Sequence, residues 1–367
     1  MSYFDLIENR EHQGVVFCTD RKSGLRAIIA IHDTTLGPAL GGCRMKGYTS
    51  EEEALMDVLR LSRAMSYKSS MAGLNLGGGK SVVILKNQEQ KTPELLKAFA
   101  ERIALLKGTY IGAGDIGSDT NDLRIMRQYC PWITGLAEED GGLGDSAILT
   151  SLGVYQGIRA AVKERFKRDD LDGLRVAVQG AGKVGYMLVE YLLNAGCKVF
   201  VSDISKESLQ RVKDAYPAVE ICDSLSLYDK EVDVFSPNAI GGIITPGVAH
   251  GIKAKVLAGG ANNPLSDESV ADILKQRDIL YAPDFVINAG GVIMVACEID
   301  KSGFETARQK TEAIYDTTLR VFDYAKVNDL VPWQAARKLA EERIMQVRQQ
   351  GGAKKKPNAP PAPALAT

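Results

Sequence analysis

The chain has 367 residues, 45% of them hydrophobic, enough to bury a large core and to form about two domains. Its 45 Lys and Arg against 46 Asp and Glu leave a net charge of -1, which offers neither the basic face a nucleic acid needs nor the cationic patch an anionic membrane attracts. The six cysteines (Cys18, Cys43, Cys130, Cys197, Cys222, Cys297) lack C-x-x-C spacing, which fits reduced thiols and argues against a metal site.

The amino-terminal stretch MSYFDLIENREHQG carries acids and no apolar run, and no segment has the length and apolarity to cross a bilayer, so a cytoplasmic protein is expected. The apolar runs Val15 to Cys18 and Leu25 to Ile31, joined by the turn-rich DRKSG, predict a hairpin. Ser50-Glu51-Glu52-Glu53 predicts a capping box, and Leu55, Val58 and Leu59 continue at helical spacing toward Lys68.

The next stretch, GLNLGGGKSVVI at 73–84, contains GGGKS and so resembles a phosphate-binding P-loop. That motif needs glycine where this chain has Leu74, and a helix after the lysine where Ser81-Val82-Val83-Ile84-Leu85 predicts a strand. The P-loop reading fails on both counts. The glycines are instead positions where backbone or ligand comes close to the start of a strand, with Lys80 at that point. A helix over about Pro93 to Leu106 and a short strand at 109–113 complete a mixed α/β half.

After residue 150 strands alternate with helices in the pattern of a doubly wound parallel sheet. LRVAVQG ends a strand, and Gly180-Ala181-Gly182-Lys183-Val184-Gly185 matches G-x-G-x-x-G at the turn into a helix. The following strand KVFVSD ends in Asp203, 23 residues after Gly180. Strand, glycines, helix, strand and acid in that order predict a dinucleotide site. Asp203 takes a ribose 2′-hydroxyl and repels a 2′-phosphate, which favours NAD. The Pro, Ala and Lys-rich tail 351–367 is expected to be disordered.

None of the three histidines (His12, His32, His250) lies in an unusual sequence setting, so lysine is the better acid–base candidate. Lys68 and Lys80 flank YKSSMAGLNLGGGK, and two ammonium groups in a partly closed cleft would depress one pKa and create a base. Asp115 ends another strand of the same half and can relay protons. The alternative for all three is a solvated surface charge.

Five separated motifs, AIIAIHDTTLGPALGGCRM, YKSSMAGLNLGGGKSVVI, VAVQGAGKVG, LAGGANNPL and YAPDFVINAGGVI, give the chain a resemblance to the amino-acid dehydrogenases of the Glu/Leu/Phe/Val family, most closely the leucine branch. It extends over roughly residues 10 to 350. The resemblance implies a substrate-binding and catalytic domain over 1–150, completed by a returning helix at about 331–350. A Rossmann NAD domain follows over 151–330, with the active site in the cleft between the two.

It implies Lys80 as the general base that activates water, Asp115 as the acid exchanging protons with the amino group, and Lys68 and Asn262 on the substrate carboxylate. It places Leu40, Gly41, Ala113, Val292 and Val295 around the substrate side chain. Thr150, Asn238 and Asn288 join the glycine loop and Asp203 at the cofactor. The implied reaction is reversible NAD-dependent deamination of leucine, valine or isoleucine to the 2-oxo acid and ammonia. The implied assembly is a homo-oligomer, an octamer first and a dimer or tetramer otherwise.

This sequence departs from the family pattern at Gly144-Asp145-Ser146-Ala147-Ile148-Leu149-Thr150-Ser151, which lacks two prolines of the linker. It departs again at Ala64-Met65-Ser66-Tyr67-Lys68-Ser69, and at Asn238, where a cysteine is usual. Two other readings stand beside the first: a phenylalanine or tryptophan dehydrogenase of the same family, and a non-catalytic dinucleotide-binding regulatory homologue.

Overall fold

The computed structural model describes residues 2–352; from residue 353 on, the tail expected to be disordered lies outside the described residues. The chain forms two compact units. The first comprises 1–145, 294–304 and the segment from Ala340 onward, and the second comprises 146–293 and 305–339. Among the described residues no helix is long and apolar enough to cross a membrane.

The first unit is built on five strands, β1 (Gly14–Asp20), β2 (Leu25–Asp33), β3 (Ala39–Lys46), β4 (Gly77–Ile84) and β5 (Tyr110–Gly114), in the spatial order β1-β2-β4-β3-β5. β1 and β2 form the expected hairpin, with Asp20 opposite Leu25. β4 pairs antiparallel to β2, and β3 lies parallel between β4 and β5. β4 begins at Gly77, so the three glycines before Lys80 are strand residues rather than a loop.

The helix Glu51–Met71 packs on β4, and closely: a Cβ on Gly78 would lie 2.2 Å from the Ser66 backbone nitrogen. Its cap differs from the expected box. Ser50 accepts from the Glu53 N–H, but the Glu53 carboxylate accepts from the Thr49 N–H and hydroxyl at 2.7 and 2.6 Å. On the other face Leu95, Phe99 and Ile103 of the helix Pro93–Ala104 join Ile29, Met45 and Tyr110 in one core, the large apolar burial that stabilises such a layer.

Two later segments complete this unit. The carboxylate of Glu298, on the helix Gly290–Ile299, accepts from the Thr134 hydroxyl at 2.8 Å and the Gly135 N–H at 3.0 Å. Arg343, on the helix Pro332–Gln349, donates to the Ser70 and Leu74 carbonyl oxygens at 3.1 and 2.9 Å, and Arg348 reaches Asp33 at 2.5 Å. The segment 294–304 therefore belongs with the first unit, although its sequence lies inside the stretch read as Rossmann domain.

The second unit carries a six-stranded, wholly parallel sheet in the order β11-β10-β9-β6-β7-β8. Its strands are β6 (Arg175–Gln179), β7 (Lys198–Ser202), β8 (Glu220–Ile221), β9 (Val234–Pro237), β10 (Val256–Leu257) and β11 (Leu280–Tyr281). The order reverses at β6, which has β9 on one side and β7 on the other; in such sheets ligands bind outside the carboxyl ends of the strands at that reversal. Buried Phe235, Leu257, Val270 and Leu274 fill one face of the sheet.

Candidate functional site

Lys80 and Asp115 meet in the first unit. Lys80 stands on β4, only 7% exposed, and its Nζ lies 2.6 Å from Asp115 Oδ2 just beyond the end of β5. β3 runs between their strands, and its glycines make the meeting possible. A Cβ on Gly42 would stand 2.7 Å from Asp115 Cβ and 3.1 Å from Lys80 Nζ, and one on Gly41 would strike the Gly79 carbonyl oxygen at 1.8 Å. Any side chain at 42 would force the pair apart. Tyr110, wholly buried, donates from its hydroxyl to the Gly41 carbonyl oxygen at 2.8 Å and lies 2.9 Å from Ser81 Oγ, tying β3, β4 and β5 together beside the pair.

Asp115 has a second cation that the sequence reading missed. Arg44, on β3, donates from Nε to Asp115 Oδ2 at 3.0 Å and from Nη1 to Asp57 Oδ2 at 2.9 Å. Burial pushes the Asp115 carboxyl upward, but the Lys80 ammonium and the Arg44 guanidinium outweigh it and hold the group below its ordinary value, as opposite charges within a few ångströms do. The nearest charge to Lys80 is therefore a carboxylate. Lys68 lies half-buried in the last turn of the helix on β4. Leu40 and Gly41 are buried in β3, and Ala113 and Val295 are half-buried.

The histidines stand away from this pair. His12 and His32 are both buried, with ring centroids 4.8 Å apart in an edge-on contact. His12 Nε2 donates to the Leu59 carbonyl oxygen at 3.1 Å, and His32 Nδ1 lies 2.7 Å from Ser66 Oγ. Burial lowers His12 to about 4 and His32 to about 3, so both stand neutral near pH 7. The hairpin brings them together: Gly14 stands opposite Ile31, and the Gln13 N–H donates to the His32 carbonyl oxygen at 3.2 Å.

The second unit presents the glycine loop between β6 and the helix Lys183–Asn194. Gly180 has φ +96, which a side chain rarely adopts. A Cβ on Gly185 would strike the Gly180 carbonyl oxygen at 1.9 Å, whereas one on Gly182 would meet nothing within 4 Å. Gly182 caps the helix Lys183–Asn194 without a side-chain hydrogen bond, and there is open space at Gly182 beside this helix start, where an anion is favoured. Lys183 is exposed and Val184 half-buried at this turn.

Asp203 follows β7; its carboxylate accepts from the Ala181 N–H at 2.6 Å and the Ser205 N–H at 2.8 Å, which fixes it beside the loop. These residues fit a dinucleotide: room at Gly182, a helix start without a side-chain cap and an oriented acid.

A second group in this unit surrounds Gly260. Asn238 donates to the Ser236 carbonyl oxygen at 2.9 Å and accepts from the Gly260 N–H at 2.8 Å. Asn288 donates to the Gly260 carbonyl oxygen at 3.2 Å and to Asn262 Oδ1 at 3.0 Å, while its own buried Oδ1 has no hydrogen-bond partner among the described residues. Such an orphaned acceptor fits a donor arriving with a ligand. Thr150, on the helix Ala147–Phe166, donates to the Ser146 carbonyl oxygen at 2.9 Å, and a Cβ on Gly291 would lie 2.9 Å from its Oγ1. Val292 is buried in the same unit.

Family models match almost the whole described chain. That of the Glu/Leu/Phe/Val dehydrogenase dimerisation domain matches residues 12–131, and that of Glutamate/Leucine/Phenylalanine/Valine dehydrogenase matches 141–206 and 201–352. The chain is 47% identical over 348 residues to a leucine dehydrogenase of Geobacillus stearothermophilus, covering 95% of each. It is 45% identical over 339 residues to a valine dehydrogenase of Streptomyces virginiae, covering 92% of this chain and 95% of the relative. Among solved structures it resembles an L-tryptophan dehydrogenase from Nostoc punctiforme, with TM-score 0.84 and 39% identity, covering 95% of this chain and 100% of that one.

Proposed function

Because the chain belongs to the Glu/Leu/Phe/Val dehydrogenase family and is an amino acid dehydrogenase, we infer that it catalyses the reversible NAD-dependent oxidative deamination of a branched-chain L-amino acid. Leucine is the first substrate, with valine and isoleucine beside it, and the products are the 2-oxo acid and ammonia. The observation that carries the reading is the 2.6 Å pair of buried Lys80 and half-buried Asp115, brought together where glycines clear the space. Leucine and valine dehydrogenases among the relatives support the substrate class.

In this reading NAD, held by the glycine loop and Asp203, would supply the acceptor for the hydride that leaves the substrate Cα. Lys80 takes the proton from the water that attacks the resulting iminium carbon, and Asp115 exchanges protons with the departing nitrogen. Lys68 and Asn262 hold the α-carboxylate. Leu40, Gly41, Ala113 and Val295 of the first unit and Val292 of the second contact the substrate side chain. None of these is charged, so a glutamate carboxylate would be buried without a partner at a cost of several kcal/mol. One methylene in an apolar pocket is worth only about 1–3 kcal/mol, which makes selection among aliphatic substrates graded.

Gly180, Gly182, Lys183, Val184 and Gly185 receive the pyrophosphate, Asp203 the ribose, and Thr150, Asn238 and Asn288 the nicotinamide side. The first unit is thus the substrate-binding and catalytic domain and the second the dinucleotide domain. The assembly is a cytoplasmic homo-oligomer, an octamer first and a dimer or tetramer otherwise, with no nucleic acid or membrane partner.

NADH formation measured with each of the twenty common L-amino acids tests the reading. Leucine or a branched-chain neighbour is expected to give the highest kcat/KM and glutamate no detectable turnover. The tryptophan dehydrogenase among the solved structures favours a second reading, an aromatic substrate. Phenylalanine or tryptophan outperforming leucine would establish that reading, against the methyl of Ala113. No turnover with any of the twenty would overturn the catalytic reading itself. For the cofactor, Asp203→Ser is expected to weaken NAD and relieve the repulsion of a 2′-phosphate; an unchanged ratio of kcat/KM for NAD over NADP would remove Asp203 from the ribose.

A further inference from the structure

We propose that Arg44 is a positioning residue for the Lys80–Asp115 pair, holding the Asp115 carboxylate in place from a line of ion pairs that runs on to Asp57 and Arg60. The proposal rests on the catalytic assignment of Lys80 and Asp115 made above. Its basis is geometric. Arg44 lies on β3, the strand between those that carry Lys80 and Asp115, and its side chain is 14% exposed. One edge of its guanidinium donates to Asp115 Oδ2 at 3.0 Å, the same oxygen that meets Lys80 Nζ at 2.6 Å. Its Nη1 donates to Asp57 Oδ2 at 2.9 Å.

Asp57 is anchored in turn. The Tyr48 hydroxyl donates to Asp57 Oδ2 at 2.9 Å, and Arg60 Nη2 donates to Asp57 Oδ1 at 3.1 Å. A planar guanidinium can hold two carboxylates in fixed directions at once, which an ammonium on a flexible stem cannot. Asp57 and Arg60 belong to the helix Glu51–Met71 that packs on β4, so the line ties Asp115 to that helix.

Asp115 touches Lys80 on β4 and Arg44 on β3, and the other titratable groups close enough to act on it include Cys43 on β3, Tyr110 on β5 and Tyr48 before the helix. Burial pushes the Cys43 thiol and the Tyr48 and Tyr110 hydroxyls upward, so all three stay neutral where carboxylates are charged. The charges left are Lys80, Arg44 and, one step on, Asp57 with its partner Arg60.

Opposite signs at Arg44 and Asp57 make the proposal testable by direction. Removing a nearby cation makes any group of the pair easier to protonate, and removing a nearby anion makes it harder. In the pH profile of kcat/KM for amino-acid oxidation, Arg44→Met is expected to move the acid limb upward by about one pH unit, and Asp57→Asn to move it downward. Arg44→Met should also lower kcat by about tenfold to a hundredfold through misplacement of Asp115, with the larger part of the loss in kcat rather than in KM. Arg44→Lys should return the limb toward wild type, since it restores the charge, while leaving kcat reduced, since it does not restore the fork.

A residue that only supports the fold would lower the melting temperature and leave the limb where it was. Limbs that stay fixed in both Arg44→Met and Asp57→Asn, or that move the same way, overturn the proposal, as does a kcat for Arg44→Met within about threefold of wild type. If Arg44→Met fails to fold, Asp57→Asn and Arg44→Lys still decide it by the direction of the limb. Turnover surviving in both Lys80→Ala and Asp115→Asn would instead remove the catalytic assignment on which the proposal rests.

Discussion

Lys80→Ala is expected to lower kcat by about 10²–10⁴-fold, the usual contribution of a positioned general base, while leaving the affinity for the dinucleotide near that of wild type. The two effects separate because Lys80 stands on β4 of the first unit, whereas the glycine loop and Asp203 belong to the second. A group that accepts a proton in the transition state contributes to kcat and not to cofactor binding. The variant should still fold, since Asp115 keeps Arg44 as a counter-charge at 3.0 Å. Steady-state assay of NADH formation and titration of NADH by fluorescence measure the two quantities. Retention of more than about a tenth of wild-type kcat would show that Lys80 is not the base.

Acid is expected to unfold the first unit through His12 and His32. Their folded values, about 4 and about 3, lie below the ordinary value of 6.5. Between these limits the unfolded chain binds more protons than the folded one, so stability rises with pH. The contribution is complete above pH 6.5 and is lost as pH falls toward the folded values. A tenfold difference in proton affinity between the folded and unfolded chain is worth about 1.4 kcal/mol, so by pH 4.5 each histidine removes about 2–3 kcal/mol. Charging one also repels the other across 4.8 Å. Urea unfolding at pH 7 and pH 4.5 reads the loss, and a variant carrying His12→Gln and His32→Gln should lose distinctly less across that interval. Equal losses in the two proteins would rule the histidines out as its source.

The parts of the molecule legible in its sequence are those written in local order. The hairpin β1–β2 follows from two apolar runs about a polar turn, and its register begins where that turn closes, at Asp20 and Leu25. The dinucleotide half-site follows from the sequence of strand, glycines, helix, strand and acid. Lys80 and Asp115 stood out as charges among glycines, and the structure brings them to 2.6 Å.

What escaped is what depends on distant partners. β3 reads poorly as a strand because Gly41 and Gly42 interrupt it, and its pairing is supplied by β4 and β5. Arg44 and Asp57 lie on different elements, so no periodicity joins them. His12 and His32 become neighbours at the open end of the hairpin, where Gly14 stands opposite Ile31, but what buries them is the helix Glu51–Met71, through Leu59 and Ser66. The passage of Met294–Phe304 into the first unit begins inside the helix Gly290–Ile299 and ends inside the helix that starts at Gly303, so the boundaries do not fall between elements.

That discontinuity bears on how the protein is made. The first unit takes its last pieces from the carboxyl-terminal helix, where Arg343 holds the end of the helix Glu51–Met71 and Arg348 meets Asp33. A ribosome releases the five strands of the first unit early, yet their closing partners come only after the whole second unit in chain order. The second unit, nearly continuous in the chain, can finish while the first still waits, so order of synthesis and order of completion are reversed. A premature stop before Ala340 would leave the first unit without those closing partners, although every strand of both sheets had been synthesised.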